Sequence, residues 1–241
     1  MDVSRALAFV FDDEEWLGKV LLTAVISLVP VFGPFALGGY VIAVVRNVMA
    51  SSSRPLPHWE EPGRYFADGL KFCAATLVYA LPLLILICPV AMSWLLPLIG
   101  GDDSEATTAL LGVSGAITVL LGCLGASYGL FYALLTPVLQ IRYAETGEIR
   151  ACLRPGTAIR FLLDNFGRIL MVLLVQTLVG LLVTVVFGGV FGVLAFIPLC
   201  GQVLAGVGAL LLLPVGVWLV VVSGHLYGQI GREAGVTALS G

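Results

Sequence analysis

Charge is what this 241-residue chain has least of: Asp, Glu, Lys and Arg together make up 11% of it, and mean hydropathy is +1.06. Soluble globular domains carry about 25% charged residues, so that class is excluded. Four stretches hold no charged residue at all: Val20 to Val45, Phe72 to Gly101, Ala106 to Ile141, and Ile169 to Gly231. They account for 155 residues. A hydrocarbon slab of about 30 Å is crossed by roughly 20 apolar helical residues, so these runs predict membrane spans. No basic n-region precedes an apolar core at the start, where Asp2, Asp12, Asp13, Glu14 and Glu15 make the chain acidic, and the N-terminus is expected to be retained. A net charge of −3 gives no basic footprint for nucleic acid.

The five cysteines, Cys73, Cys88, Cys123, Cys152 and Cys200, form no C-x-x-C pair and have no His at ligand spacing. An odd, scattered set argues against a disulfide framework and against a metal site.

The 63-residue run after Arg168 is too long for one crossing, and Phe196-Ile-Pro-Leu-Cys-Gly-Gln202 supplies the break. In the first run Pro30-Val-Phe-Gly-Pro34 interrupts 26 residues, which are either one tilted span or a hairpin of two short helices, Glu15–Pro30 and Pro34–Ala50. Charge separates these alternatives. All twelve Lys and Arg lie in four segments: Arg5 and Lys19; Arg46, Arg54, Arg64 and Lys71; Arg142, Arg150, Arg154, Arg160 and Arg168; and Arg232. Six spans place all four segments on one side, whereas five strand Arg5 and Lys19 outside, so the positive-inside rule favours six.

The expected fold is therefore an all-α polytopic bundle of six spans arranged as three hairpins, with short amphipathic interfacial helices; five spans is the alternative. The expected layout is an interfacial helix over 1–13, hairpins over 15–50, 72–141 and 169–231, a cytoplasmic loop over 51–71, an amphipathic segment over 142–168 and a tail over 232–241. Three similar lead-ins, beginning near Ala6, Pro62 and Ala158, suggest a repeated unit: a helix in the headgroup plane feeding a hairpin, with a Gly near a base (Gly18, Gly69, Gly167) marking the corner.

Inside the spans the signals are sparse. Gly125/Gly129, Gly188/Gly192 and Gly224/Gly228 are small pairs that allow close helix approach, within the bundle or toward another membrane protein. Pro82, Pro89, Pro97, Pro137 and Pro214 predict kinks. His225 is the one ionisable group in a span core, a candidate haem or pigment ligand or an interfacial hydrogen-bonding residue. The acids Asp12–Glu15, Asp102, Asp103 and Glu105 read as solvated faces. In the segment from Arg46 to Lys71, Arg46, Asn47, His58 and Trp59 either dock a partner or strap the loop onto its own bundle.

The run Gly39-Tyr-Val-Ile-Ala-Val-Val-Arg-Asn47, then Pro55-Leu-Pro-His-Trp59 and Phe66-Ala-Asp-Gly-Leu70, with the opening Phe11-Asp-Asp-Glu-Glu-Trp16, resembles an uncharacterised prokaryotic membrane family, domain of unknown function 4013. That resemblance implies a prokaryotic cytoplasmic-membrane location and carries over no activity or catalytic residue, while six spans under the positive-inside rule put both termini in the cytoplasm. With no nucleophile–base pair in view, the expected function is non-enzymatic and cofactor-free: an accessory or scaffolding subunit, embedded in the lipid bilayer and packed against other integral membrane proteins. The alternatives are a small transporter or channel for an apolar or lipid-like solute, and a pigment- or haem-binding subunit through His225.

Overall fold

The computed structural model describes residues 2–52, 54–100, 104–195, 197 and 200–239. Among these there is no strand. Nine α-helices follow in order: α1 Val3–Ala8, α2 Trp16–Ser27, α3 Phe32–Met49, α4 Pro62–Ser93, α5 Ser104–Thr146, α6 Ile149–Cys152, α7 Pro155–Asp164, α8 Phe166–Ala195 and α9 Cys200–Leu239. A 3₁₀ turn, Leu96–Gly100, follows α4.

Five of these helices, α3, α4, α5, α8 and α9, are long and apolar enough to cross a membrane. The sixth expected span is not among them. α2 has 12 residues, about 18 Å of helix against a slab of about 30 Å. The proline-glycine break does form, and it comes early: α2 ends at Ser27 and α3 starts at Phe32. Val31 takes φ 67° at the turn, and a side chain on Gly33 would collide with the Ile26 and Ser27 carbonyls. The middle lead-in also differs from expectation. Residues 62–71 form no separate interfacial helix but continue into α4, because Gly69 is used for packing rather than as a corner. The expected break near Pro198 and the loop acids Asp102 and Asp103 lie outside the described residues.

Packing is concentrated at one end of the bundle. Tyr40, Val44 and Val45 of α3, Leu135, Leu139, Ile141 and Tyr143 of α5, Ile169 and Val172 of α8, and Val221, Leu226 and Ile230 of α9 are almost wholly buried. Each group lies beside one of the base-carrying connections. Half of α3's apolar stretch is buried, against 6% of α5's and 11% of α8's. Away from this end Ile85, Val119, Leu120, Leu182 and Val193 stand more than half exposed. Lipid removes the cost of exposing them, since its chains are as apolar as leucine.

α3 crosses α4 with backbones in close approach. A Cβ on Gly39 would collide with the Tyr65 carbonyl, and one on Gly69 with the Phe35 carbonyl. Only glycine at both positions lets these helices meet so closely.

Candidate functional site

Three groups of polar side chains stand around α2, α3 and the loop between α3 and α4 at the packed end. The first lies at the root of α2. Lys19 Nζ donates to Asp13 Oδ2 at 2.7 Å, with both side chains under a tenth exposed. The same ammonium is 3.4 Å from His58 Nε2, and His58 Nδ1 is 3.6 Å from Glu15 Oε2. Burial works to raise the Asp13 carboxyl, but the Lys19 ammonium and the Glu15 N–H outweigh it and hold it below its ordinary value. Asp13 is thus no part of a solvated acidic face, although Asp12, Glu14 and Glu15 are exposed as expected. A buried ammonium needs a counter-charge, and Asp13 is placed six residues upstream to supply it.

The second group is the strap. Residues 54–61 lie over their own bundle. Tyr40 OH donates to the Pro57 carbonyl (3.1 Å), Asn47 Nδ2 to the Pro55 carbonyl (2.9 Å), and Tyr65 OH to the His58 carbonyl (2.6 Å). The Trp59 indole stacks on Tyr40 at 5.1 Å and donates to Thr23 Oγ1 at 2.8 Å. Leu56 is 2% exposed beneath it. Asn47 and Trp59 thus hold the loop down on its own bundle.

The third group ties α3, α4 and α5. Arg46 Nη1 meets Asp68 Oδ2 at 2.6 Å, Arg46 Nε donates to the Ala144 carbonyl at 3.1 Å, and the guanidinium lies 5.8 Å from the centre of the Tyr143 ring. Tyr143 OH donates to Asp68 Oδ1 at 3.3 Å. Arg46 caps three carbon-rich helices with one planar donor set, which a lysine cannot reproduce. Tyr143 escapes a motif search, and Asp68, though part of the Phe66–Leu70 run, gains its role only from residues on other helices.

His225 is buried, stacked on Phe9 at 4.2 Å, with Nδ1 3.2 Å from Gln229 Nε2. Gln229 also accepts from the Asp2 N–H (2.7 Å) and donates to the Asp2 carbonyl (3.0 Å). The histidine therefore helps to seat α1 against α9, and Ala6, Phe9 and Val10 turn inward with it. Its surroundings include the charged Asp2, Arg5, Asp12, Arg232 and Glu233 around a cavity of about 290 Å³. Deeper in the bundle, Gln176 Nε2 donates to Ser223 Oγ, and Tyr227 OH donates to Gln176 Oε1 at 3.0 Å, joining α8 to α9.

The glycine pairs divide. Gly224 and Gly228 are packed against α3, where an added Cβ would come within 3.0 Å of Val41 Cγ1 and 2.6 Å of Val48 Cβ. Gly125, Gly129, Gly188 and Gly192 have nothing within 4 Å of the corresponding position. Among the described residues no three His, Cys, Asp or Glu side chains gather as a metal-binding group.

Long apolar helices sharing one polar, base-rich end define a helical membrane protein. The chain belongs to the family described as "Protein of unknown function (DUF4013)", whose family model matches residues 22–196. No curated protein and no solved structure matches it. The residues that carry the family resemblance are largely those of the strap and the α3–α4 crossing: Gly39, Tyr40, Arg46, Asn47, Pro55, Pro57, Trp59, Asp68 and Gly69.

Proposed function

We propose that this protein is a non-enzymatic accessory or scaffolding subunit of the prokaryotic cytoplasmic membrane, packing against other integral membrane proteins. One observation carries the reading. Gly125 and Gly129 of α5, and Gly188 and Gly192 of α8, present open backbone on helices whose apolar stretches are barely covered by their own chain. Small residues open to close approach are what membrane helices use to associate.

The topology that goes with this function keeps both termini in the cytoplasm. Lys19 opens α2, Arg46 closes α3, Arg64 and Lys71 open α4, Arg142 closes α5, Arg168 opens α8 and Arg232 lies toward the end of α9. With α2 embedded as a sixth segment, antiparallel in chain order to α3, every base faces one compartment. Prolines 82, 89, 137 and 214, all interior to helices, favour the second reading of a small transporter or channel for an apolar or lipid-like solute.

The experiment is a gentle-detergent purification from native membranes, with mass spectrometry of whatever remains bound. Stoichiometric membrane partners are expected, and they should be lost when Gly129→Leu and Gly192→Leu close the open faces. A solitary monomer from native membranes sinks the proposal, and solute flux in proteoliposomes would then establish the transporter instead.

A further inference from the structure

Helix α7 is amphipathic in an unusual division: its apolar arc is only half covered by protein. Ala158 and Leu162 are buried where α7 packs on α5. Ile159, Leu163 and Phe166, at helical spacing beside them, are 38%, 68% and 43% exposed. Leu153, just before the helix, is 40% exposed. The chain then breaks at Asn165, whose N–H bonds to the Phe161 carbonyl at 3.1 Å, and enters α8. There the exposed apolar series continues through Leu170, Leu174, Leu178 and Leu182, on a helix long and apolar enough to cross the membrane. The uncovered face of α7 is thus continuous with a lipid-facing surface.

Arg150, Arg154 and Arg160 flank this face, all exposed. Among the described residues none of the three side chains makes an ion pair or hydrogen bond. The acids of the same stretch, Glu145, Glu148 and Asp164, are fewer than its five arginines from Arg142 to Arg168, and Arg168 is already engaged by Asn165 Oδ1 (3.2 Å) and Glu233 (3.6 Å). Exposed apolar residues beside unpaired guanidinium groups are complementary to one kind of surface, an apolar layer under negative headgroups.

We propose that residues 149–166 form an anionic-lipid docking element: Ile159, Leu163 and Phe166 enter the acyl boundary of the base-facing leaflet while Arg150, Arg154 and Arg160 hold lipid phosphates. The inference is independent of whether a protein partner binds α5 or α8. Each guanidinium adds about fivefold to the element's preference for an anionic surface, and the preference falls as salt rises.

The test uses the full chain in nanodiscs of phosphatidylcholine alone, and in nanodiscs with about one quarter phosphatidylglycerol. Amide hydrogen exchange across 155–164 reports docking, and exchange in α3 and in α9 near Leu226 reports the fold. About tenfold or more slower exchange of α7 is expected in the anionic discs, with α3 and α9 unchanged. Arg150→Gln, Arg154→Gln and Arg160→Gln together should abolish the difference between the two lipids, and Leu163→Asp should speed exchange in both. Equal protection in both lipids, or a difference that survives removal of the three arginines, overturns the proposal. If α7 is protected only when native membrane proteins are added, the face belongs to a protein partner and the proposal fails.

Discussion

At the scale of the residue, the Lys19–Asp13 ion pair stands out, with both side chains under a tenth exposed. Breaking Lys19–Asp13 by Lys19→Ala leaves a carboxylate in a nearly water-free site, and a loss of about 3 kcal/mol is expected in detergent unfolding. Replacing both residues by Met and Leu should recover most of it, because the surviving charge is what costs. The pair also sets an acid limit. The Asp13 carboxyl is lowered in the folded protein, so its contribution is complete at neutral pH and is lost as pH falls through the folded value. Protection factors for amide exchange over residues 9–20, taken relative to the unfolded chain at the same pH, should therefore fall below about pH 4, ahead of those in the α3 core. Cys152 behaves oppositely to a reactive thiol. Burial pushes it up to about 11, and its sulfur lies 3.6 Å from the Leu139 carbonyl. In folded protein at neutral pH it should resist maleimide, and it should label on denaturation.

At the scale of the element, what was legible in the sequence is what depends on one helix alone. Runs without charge announce long helices, and Pro30 with Pro34 announces the turn that separates α2 from α3. The length of α2 was not legible, because the helix ends at Ser27, where the chain turns so that Gly33 meets the Ile26 and Ser27 carbonyls. The middle lead-in misleads for the same reason. Gly69 looks like a corner in the sequence and is a packing site in the fold. Asp13, Asp68 and Tyr143 were illegible as partners, since Lys19, Arg46 and the helices that bring them close are tertiary facts. The glycines make the contrast measurable. Gly39→Ala meets the Tyr65 carbonyl and should cost about 1–3 kcal/mol, whereas Gly125→Ala meets open space and should shift stability by less than about 0.5 kcal/mol. Thermal midpoints of the two variants, measured in one detergent, test this.

At the scale of the whole molecule, five described helices are long and apolar enough to cross a membrane, and much of the packing between them lies at the base-rich end. The strap, the Arg46 node and the α1–α9 seat all lie there. Cutting the strap should therefore affect assembly of the bundle as a unit. Trp59→Ala removes the stack on Tyr40 and the bond to Thr23, and about 3 kcal/mol is expected from loss of a partly buried aromatic. Limited proteolysis after Arg54 or Arg64 should become faster by a matching factor.

The uneven packing also grades stiffness along the membrane normal. At the base, side chains interlock and the helices move as one piece. Toward the other end, exposed apolar side chains predominate on α4, α5, α8 and α9, with Ser114 Oγ donating to the Ser93 carbonyl and Trp94 Nε1 to Thr118 Oγ1 (3.1 Å) where the end of α4 meets α5. In a bilayer the spacing of these helices would therefore follow the thickness and lateral pressure of the lipid. The molecule is a rigid root carrying compliant arms, and a change in the bilayer is felt first at the arms.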